Sequence, residues 1–198
     1  MLITMFIIGL ISGVITGLLS IGGGIILIFS LILIPPLISG KSLSMHEIAS
    51  LSIMQSFFSS LSGSIFYFKE KLIDKGIITY LGIASFFGGI LGVLLAHSIS
   101  DFLLRIIFAV LAISSAIVMQ IPHPEKEEPK FQFSTKSITF SIVGGLSIGL
   151  IGGLIGLSAG FIFVPVLIFF YHLPIKKAIG TSLVTCFLLA AGSLVAKV

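Results

Sequence analysis

Charge is scarce in this sequence. Asp, Glu, Lys and Arg make up 9% of its 198 residues, where a soluble domain carries about 25%, so there is too little polar surface to cover a core in water. Cysteine is nearly absent. The lone Cys186 excludes an internal disulfide and a multi-cysteine metal cage, and reads as a small apolar helix residue. No Lys or Arg precedes Lys41, so residues 1–21 lack the basic start of a secretory signal and read as mature structure. The apolar segments carry no zinc-type spacing, no paired carboxylates and no ionisable residue at a segment centre. Neither enzymatic chemistry, a cofactor or metal, nor an intramembrane proton relay is therefore expected. His46, His97 and His172 fall at segment ends and read as interfacial anchors, while Asp101 and Arg105 have the spacing of an i,i+4 ion pair.

Apolar residues, by contrast, make up 57% of the chain, with a mean hydropathy of +1.27. Crossing a bilayer core takes about 20 helical residues. Leu2–Ile21, His46–Phe68, Ile77–His97, Phe102–Ile121, Ile138–Leu157 and Ala178–Ala196 are such stretches. Ile25–Ile38 and Phe161–Tyr171 are too short to cross comfortably, and each follows a small-residue break, Gly22-Gly23-Gly24 or Ser158-Ala159-Gly160. The pattern predicts an all-α integral membrane protein, a polytopic helical bundle with discontinuous helices. The formal net charge of +4 sits in short loops between segments, which is topogenic charge rather than a nucleic-acid surface.

A glycine-dense segment occurs twice, at a constant offset of 136 residues. Between 9–28 and 145–164 eight of twenty pairs are identical, among them Gly9/Gly145, Gly13/Gly149, Gly17/Gly153 and Gly24/Gly160. In so apolar a chain this predicts a transporter built from two related halves. An odd number of crossings separates the two starts whether the short segments cross or fold back, so the repeats are expected to be inverted. Lys69, Lys71, Lys75, Lys126, Lys130, Lys136, Lys176 and Lys177 then share one side, against Lys41, Arg105 and Lys197 on the other. That imbalance makes the first side cytoplasmic and places the N-terminus outside an inner (plasma) membrane. The organisation reads as a first membrane repeat (1–121), a flexible cytoplasmic linker rich in proline and mixed charge (122–136) and a second repeat (137–198). Past the breaks the offset becomes 130, pairing Ser52 with Ser182 and Phe57 with Phe187. On that register the first half continues 53 residues beyond the counterpart of Val198. The second repeat is thus expected to be C-terminally incomplete, with a naturally asymmetric chain as the alternative.

Glycines four residues apart keep a small face along one side of a helix, where another backbone can approach closely. The breaks carry a different meaning. A helix starting after Gly24 or Gly160 leaves unpaired N–H groups able to hold an anion, although glycine there also serves a tight turn. Ser20, Gly22, Gly23, Gly24, Ser158 and Gly160 are therefore candidate substrate-binding residues. Ser50, Ser52 and Gln55 on one second helix, and Thr181, Ser182 and Thr185 on the other, could add neutral donors suited to a releasable oxyanion, or bond helix to helix. Of these Ser52, Gln55, Thr181 and Ser182 are the chosen candidates, the matched serines foremost. Gly156-Leu157-Ser158-Ala159-Gly160 matches a nucleophile elbow only by accident, having no strand context or acid and base partners. Gly40-Lys41-Ser42 lacks the first glycine of a phosphate loop.

The openings Gly17-Leu18-Leu19-Ser20-Ile21-Gly22-Gly23-Gly24 and Gly153-Leu154-Ile155-Gly156-Leu157-Ser158-Ala159-Gly160-Phe161-Ile162-Phe163-Val164-Pro165, followed by Ala178-Ile179-Gly180-Thr181-Ser182-Leu183, resemble the sulfite exporter TauE/SafE permeases. The resemblance covers nearly the whole chain and implies a secondary transporter of small sulfur-containing anions, sulfite or organosulfonates among them. The sequence departs from the family pattern at Ser158-Ala159-Gly160, which is not a glycine triplet, and at Phe29, which stands opposite Pro165. Expected partners are membrane lipid, a small anionic solute and, in a homo-oligomer, a second copy; nucleic acid is not among them. The alternative is a passive anion channel, or a non-transporting membrane subunit that requires a partner chain.

Overall fold

The computed structural model describes residues 6, 8–13, 24–39, 43–120, 135–157 and 159–197, and the regular structure among them is helical. In order come α1 (8–13), α2 (Gly24–Ser39), α3 (Met45–Lys69), α4 (Lys75–Ile77), a π-turn (Ile78–Gly82), α5 (Ile83–Ala96), α6 (Asp101–Met119), α7 (Thr135–Ile155), α8 (Gly160–Phe169) and α9 (Ile175–Val195). Four rods are long and apolar enough to cross a membrane: Lys75–Ala96, Asp101–Val118, Ser137–Ile155 and Ile175–Val195. At 25 residues α3 is long enough as well, but serines at 50, 52, 56, 59, 60, 62 and 64 lower its hydropathy. Most of the expected linker lies outside the described residues.

Helix starts follow their caps. Ser44 and Glu47 form a reciprocal capping box at α3, and Asp74 accepts the Ile77 N–H at α4. Because water is absent from the bilayer, close backbone contact takes over the work of holding helices together. A Cβ added to Gly149 would lie 2.5 Å from the Ser85 carbonyl oxygen, one on Gly153 2.4 Å from that of Gly89, and one on Gly92 2.2 Å from that of Leu150. These contacts advance together along both chains, so α5 and α7 run parallel. Between α3 and α9 the order reverses. Gly180 meets Tyr67, Gly63 meets Leu183, the Phe57 and Phe187 rings stand 5.1 Å apart, and Lys197 reaches Ser50, so this pair is antiparallel. At the periphery α6 has only 11% of its spanning window buried, as fits a lipid-facing rod.

The second break is a hairpin. Gly156, at φ +79°, ends α7 with Leu157 N–H on the Gly152 carbonyl at 2.8 Å and its own N–H on that of Gly153 at 3.3 Å, a Schellman stop. Ala159 is also left-handed, at φ 51°, before α8 sets off in the opposite direction. The return is pinned by the hydroxyls of Tyr171 and Ser141 at 2.7 Å and by the stacked rings of Phe140 and Phe170 at 4.7 Å. Ser141 Oγ gives its own hydrogen to the Ser137 carbonyl at 2.8 Å, so the Tyr171 hydroxyl is the donor to Ser141. Tyr171→Phe should cost about 0.5–1.5 kcal/mol, one hydrogen bond, read as an earlier unfolding midpoint in detergent; an unchanged midpoint would remove the pin.

One end of the bundle therefore gathers Lys69, the 70–74 loop, the end of α6, the start of α7 and Lys176–Lys177. The opposite end gathers His46, Asp101, Arg105 and Lys197. At the latter end the expected Asp101–Arg105 pair is not made. Asp101 instead bonds His46 Nδ1 and the Met45 N–H, each at 2.8 Å, and Arg105 Nη2 donates to the Leu43 carbonyl at 3.0 Å. The reason is tertiary: packing brings the start of α3 against the start of α6, where backbone partners are nearer than the next helical turn.

Candidate functional site

Buried hydroxyls recur every fourth residue on α3, at Ser52, Ser56, Ser60 and Ser64, and so lie on its inner face. Ser60 and Ser64 donate to carbonyls within the helix and Ser56 is also engaged. The Ser52 hydroxyl, fully buried, has no hydrogen-bond partner among the described residues. An unpaired buried hydroxyl costs about 1–3 kcal/mol, so its position needs a physical account. It lies where α2 begins: a Cβ on Gly24 would stand 2.8 Å from Ser52 Oγ and 2.4 Å from Leu157 Cδ2. The start of α2 thus meets both Ser52 of α3 and Leu157 in the turn between α7 and α8.

The second half repeats the pairing. Ser182, 1% exposed, directs its hydroxyl at the carbonyl of Gly160, the first residue of α8, at a long 3.4 Å, with Cys186 Sγ 3.8 Å away. Each matched serine therefore faces the glycine that starts its own half-helix. Local chemistry accounts for the arrangement, since only glycine allows a helix to begin against a neighbouring helix without a Cβ in the way. The first N–H groups of such helices have no partner within the helix and carry partial positive charge. Leu157 joins the turn after α7 to the start of α2, and its apolar side chain gave no sign of this in the sequence.

Other candidates are placed elsewhere. Thr181 Oγ1 accepts the Asp74 N–H at 3.0 Å, tying α9 to the loop before α4. Thr185 donates to the Thr181 carbonyl at 2.9 Å. Gln55 Nε2 donates to Ser12 Oγ at 3.0 Å, joining α3 to α1, and Ser50 donates to the His46 carbonyl at 2.8 Å. Ser20, Gly22, Gly23 and Ser158 lie outside the described residues. A second unpartnered hydroxyl, Ser193, packs against Gly89 between α9 and α5. Among the described residues no three His, Cys, Asp or Glu side chains cluster so as to hold a metal ion.

The comparisons with known proteins agree with this architecture. Residues 5–198 match the family described as Sulfite exporter TauE/SafE. The chain is similar to the "Probable membrane transporter protein YunE" of Bacillus subtilis (strain 168), with 24% identity over 204 residues that cover 94% of this chain and 74% of that protein. No solved structure matches it. An all-helical bundle with membrane-length rods, a helix broken at its glycines and a family match across nearly its whole length lead to one assignment: the chain belongs to the sulfite exporter TauE/SafE family of membrane transporters.

Proposed function

We propose that the chain is a secondary transporter of a small sulfur-containing anion, sulfite or an organosulfonate, held where the two half-helices begin. The observation that carries this reading is the unpaired, fully buried Ser52 hydroxyl beside Gly24. A neutral hydroxyl and helix-end N–H groups bind an anion without a buried lysine, and weakly enough to release it. The sulfur chemistry rests on the family description alone. Binding would draw on Ser52, Gly24, Gly160 and Ser182, with Ser20, Gly22, Gly23 and Ser158 from the break segments. In this reading Gln55 and Thr181 position the helices that carry the serines.

Inverted repeats make alternating access natural, one half rocking against the other about a shared centre. Their support is the antiparallel packing of α3 on α9, with the matched pair Phe57 and Phe187 at 5.1 Å. In this reading the lysine-rich end faces the cytoplasm, the His46 end faces outward and the membrane is the plasma membrane. Ser52→Ala and Ser182→Ala should each lower the uptake of labelled sulfite into proteoliposomes by about tenfold or more at unchanged protein level, because a hydrogen bond to a charged group is worth about 1.5–3 kcal/mol. Unchanged kinetics in both variants would remove the serines from the site.

A second reading, a membrane subunit completed by a partner chain, has its own observation. Gly9 meets nothing within 4 Å among the described residues, and Leu51, Met54 and Phe58 are exposed on α3. Counterflow by the purified chain alone would exclude both that subunit and a passive channel.

A further inference from the structure

At the His46 end, beside the last turn of α7, lies a pocket of about 270 Å³ whose walls include His46, Ser50, His97 and Lys197, with Ala49 and Gly153 among its apolar lining. Among the described lining residues none is acidic. We propose that this pocket is a second anion site, an outer vestibule that holds a small oxyanion of the sulfite, sulfate or phosphate type between Lys197 and His97, beside the His46 ring. The site needs only such an anion, whether or not the same anion is carried through the interior.

Hydrogen-bond bookkeeping sets the charge. His46 faces two acceptors, the Asp101 carboxylate at Nδ1 (2.8 Å) and the Ala96 carbonyl at Nε2 (3.0 Å). Satisfying both requires a hydrogen on each nitrogen, which is the imidazolium form. Asp101 offsets that charge from outside the lining, with its other oxygen on the Met45 N–H. Arg105 acts on Asp101 from its far side, and Glu47 is turned away to cap Ser44. Lys197 Nζ donates to Ser50 Oγ, whose own hydrogen goes to the His46 carbonyl, leaving two ammonium N–H groups unused by that bond. His97 Nδ1 donates to the Val93 carbonyl at 3.0 Å, and its ring lies 6.3 Å from that of His46. Among the described residues Nε2 of His97 makes no hydrogen bond, and with Nδ1 donating it carries a hydrogen only when the ring is protonated.

The Lys197 ammonium and the His97 ring thus face a small concavity with apolar walls, beside a His46 imidazolium whose charge Asp101 offsets, and a cation in such a concavity concentrates counter-ions. A water's share of liquid volume is about 30 Å³, so the space admits a small oxyanion together with several waters. The donors that face it are Lys197 Nζ and, once its ring carries a second proton, His97 Nε2, and charge-assisted bonds from an ammonium and an imidazolium favour oxygen anions over chloride.

The test uses the full chain in nanodiscs, with side-chain histidine NMR during titration with sulfate and, separately, with chloride. The expected result is a saturable movement of the His46 and His97 ring signals with sulfate, little with chloride at equal ionic strength, and affinity weakened about tenfold by Lys197→Gln but restored by Lys197→Arg. Ser52→Ala should leave this titration unchanged, so failure of the interior site and failure of the vestibule are read separately. Movements that never saturate, that are equal for the two salts, or that ignore Lys197→Gln would overturn the proposal.

Discussion

Gly145→Ala is expected to destabilise the bundle by about 1–3 kcal/mol, while Gly9→Ala, at the matched position of the first half, should be neutral or stabilise by up to about 1 kcal/mol. The two glycines occupy equivalent places in a duplicated sequence, so sequence similarity alone would forecast the same response. Packing separates them. A Cβ on Gly145 would stand 2.5 Å from the Leu81 carbonyl oxygen and 2.9 Å from Ala84 Cβ, both parts of the rod pressed against α7. Backbone cannot rotate out of the way, so the helices must part and lose contact along their length. Around Gly9 nothing among the described residues comes within 4 Å, and alanine simply restricts the unfolded chain. Unfolding midpoints of the two variants in mixed micelles decide the matter. Equal midpoints, or the larger loss at Gly9, would contradict the packing of α5 on α7.

Gly24→Val should cut sulfite flux by at least about tenfold in protein that still folds and reaches the membrane. Here the atoms in the way are side-chain ends: Leu157 Cδ2 at 2.4 Å and Ser52 Oγ at 2.8 Å, with backbone no nearer than Leu157 Cα at 3.5 Å. Side chains can turn aside, so the added bulk fills the space beside the unpaired hydroxyl instead of prising helices apart. Tenfold corresponds to about 1.4 kcal/mol, within the range for overpacking a tight site. Leu157→Ala in the same chain should return part of the flux, since neighbours that share a space couple non-additively. Full flux in Gly24→Val would show that the junction of the breaks is not on the anion's path. A double variant no better than the single one would show that Leu157 is not what the new side chain meets.

Helix positions were readable before any coordinates because membrane-length apolar runs leave few alternatives. The stretch expected over His46–Phe68 is α3 at Met45–Lys69, and the short stretch Phe161–Tyr171 is α8 at Gly160–Phe169. The π-turn at Ile78–Gly82 had no comparable signal, since nothing in Ile-Thr-Tyr-Leu-Gly favours an i→i+5 bond over an i→i+4 bond. Side-chain roles were harder still. Thr181 and Ser182 are neighbours of like chemistry, but successive helical residues point about 100° apart. One therefore meets the Asp74 N–H and the other the Gly160 carbonyl. Asp101 and Arg105 had the spacing of a pair, and the start of α3 drew the carboxylate to His46.

By itself the sequence determined the apolar helices, the repeated glycine segment and the break before α8, because hydropathy, segment length and glycine spacing are properties of the chain taken in order. Tertiary structure alone decided that the glycine face of α7 is covered while Gly9 meets nothing within 4 Å among the described residues, that Leu157 packs on the start of α2, and that among the buried serines of α3 Ser52 has no partner in the described residues. Those facts depend on which surfaces of distant segments meet, and a one-dimensional pattern fixes the face a residue occupies but not the neighbour that face will find.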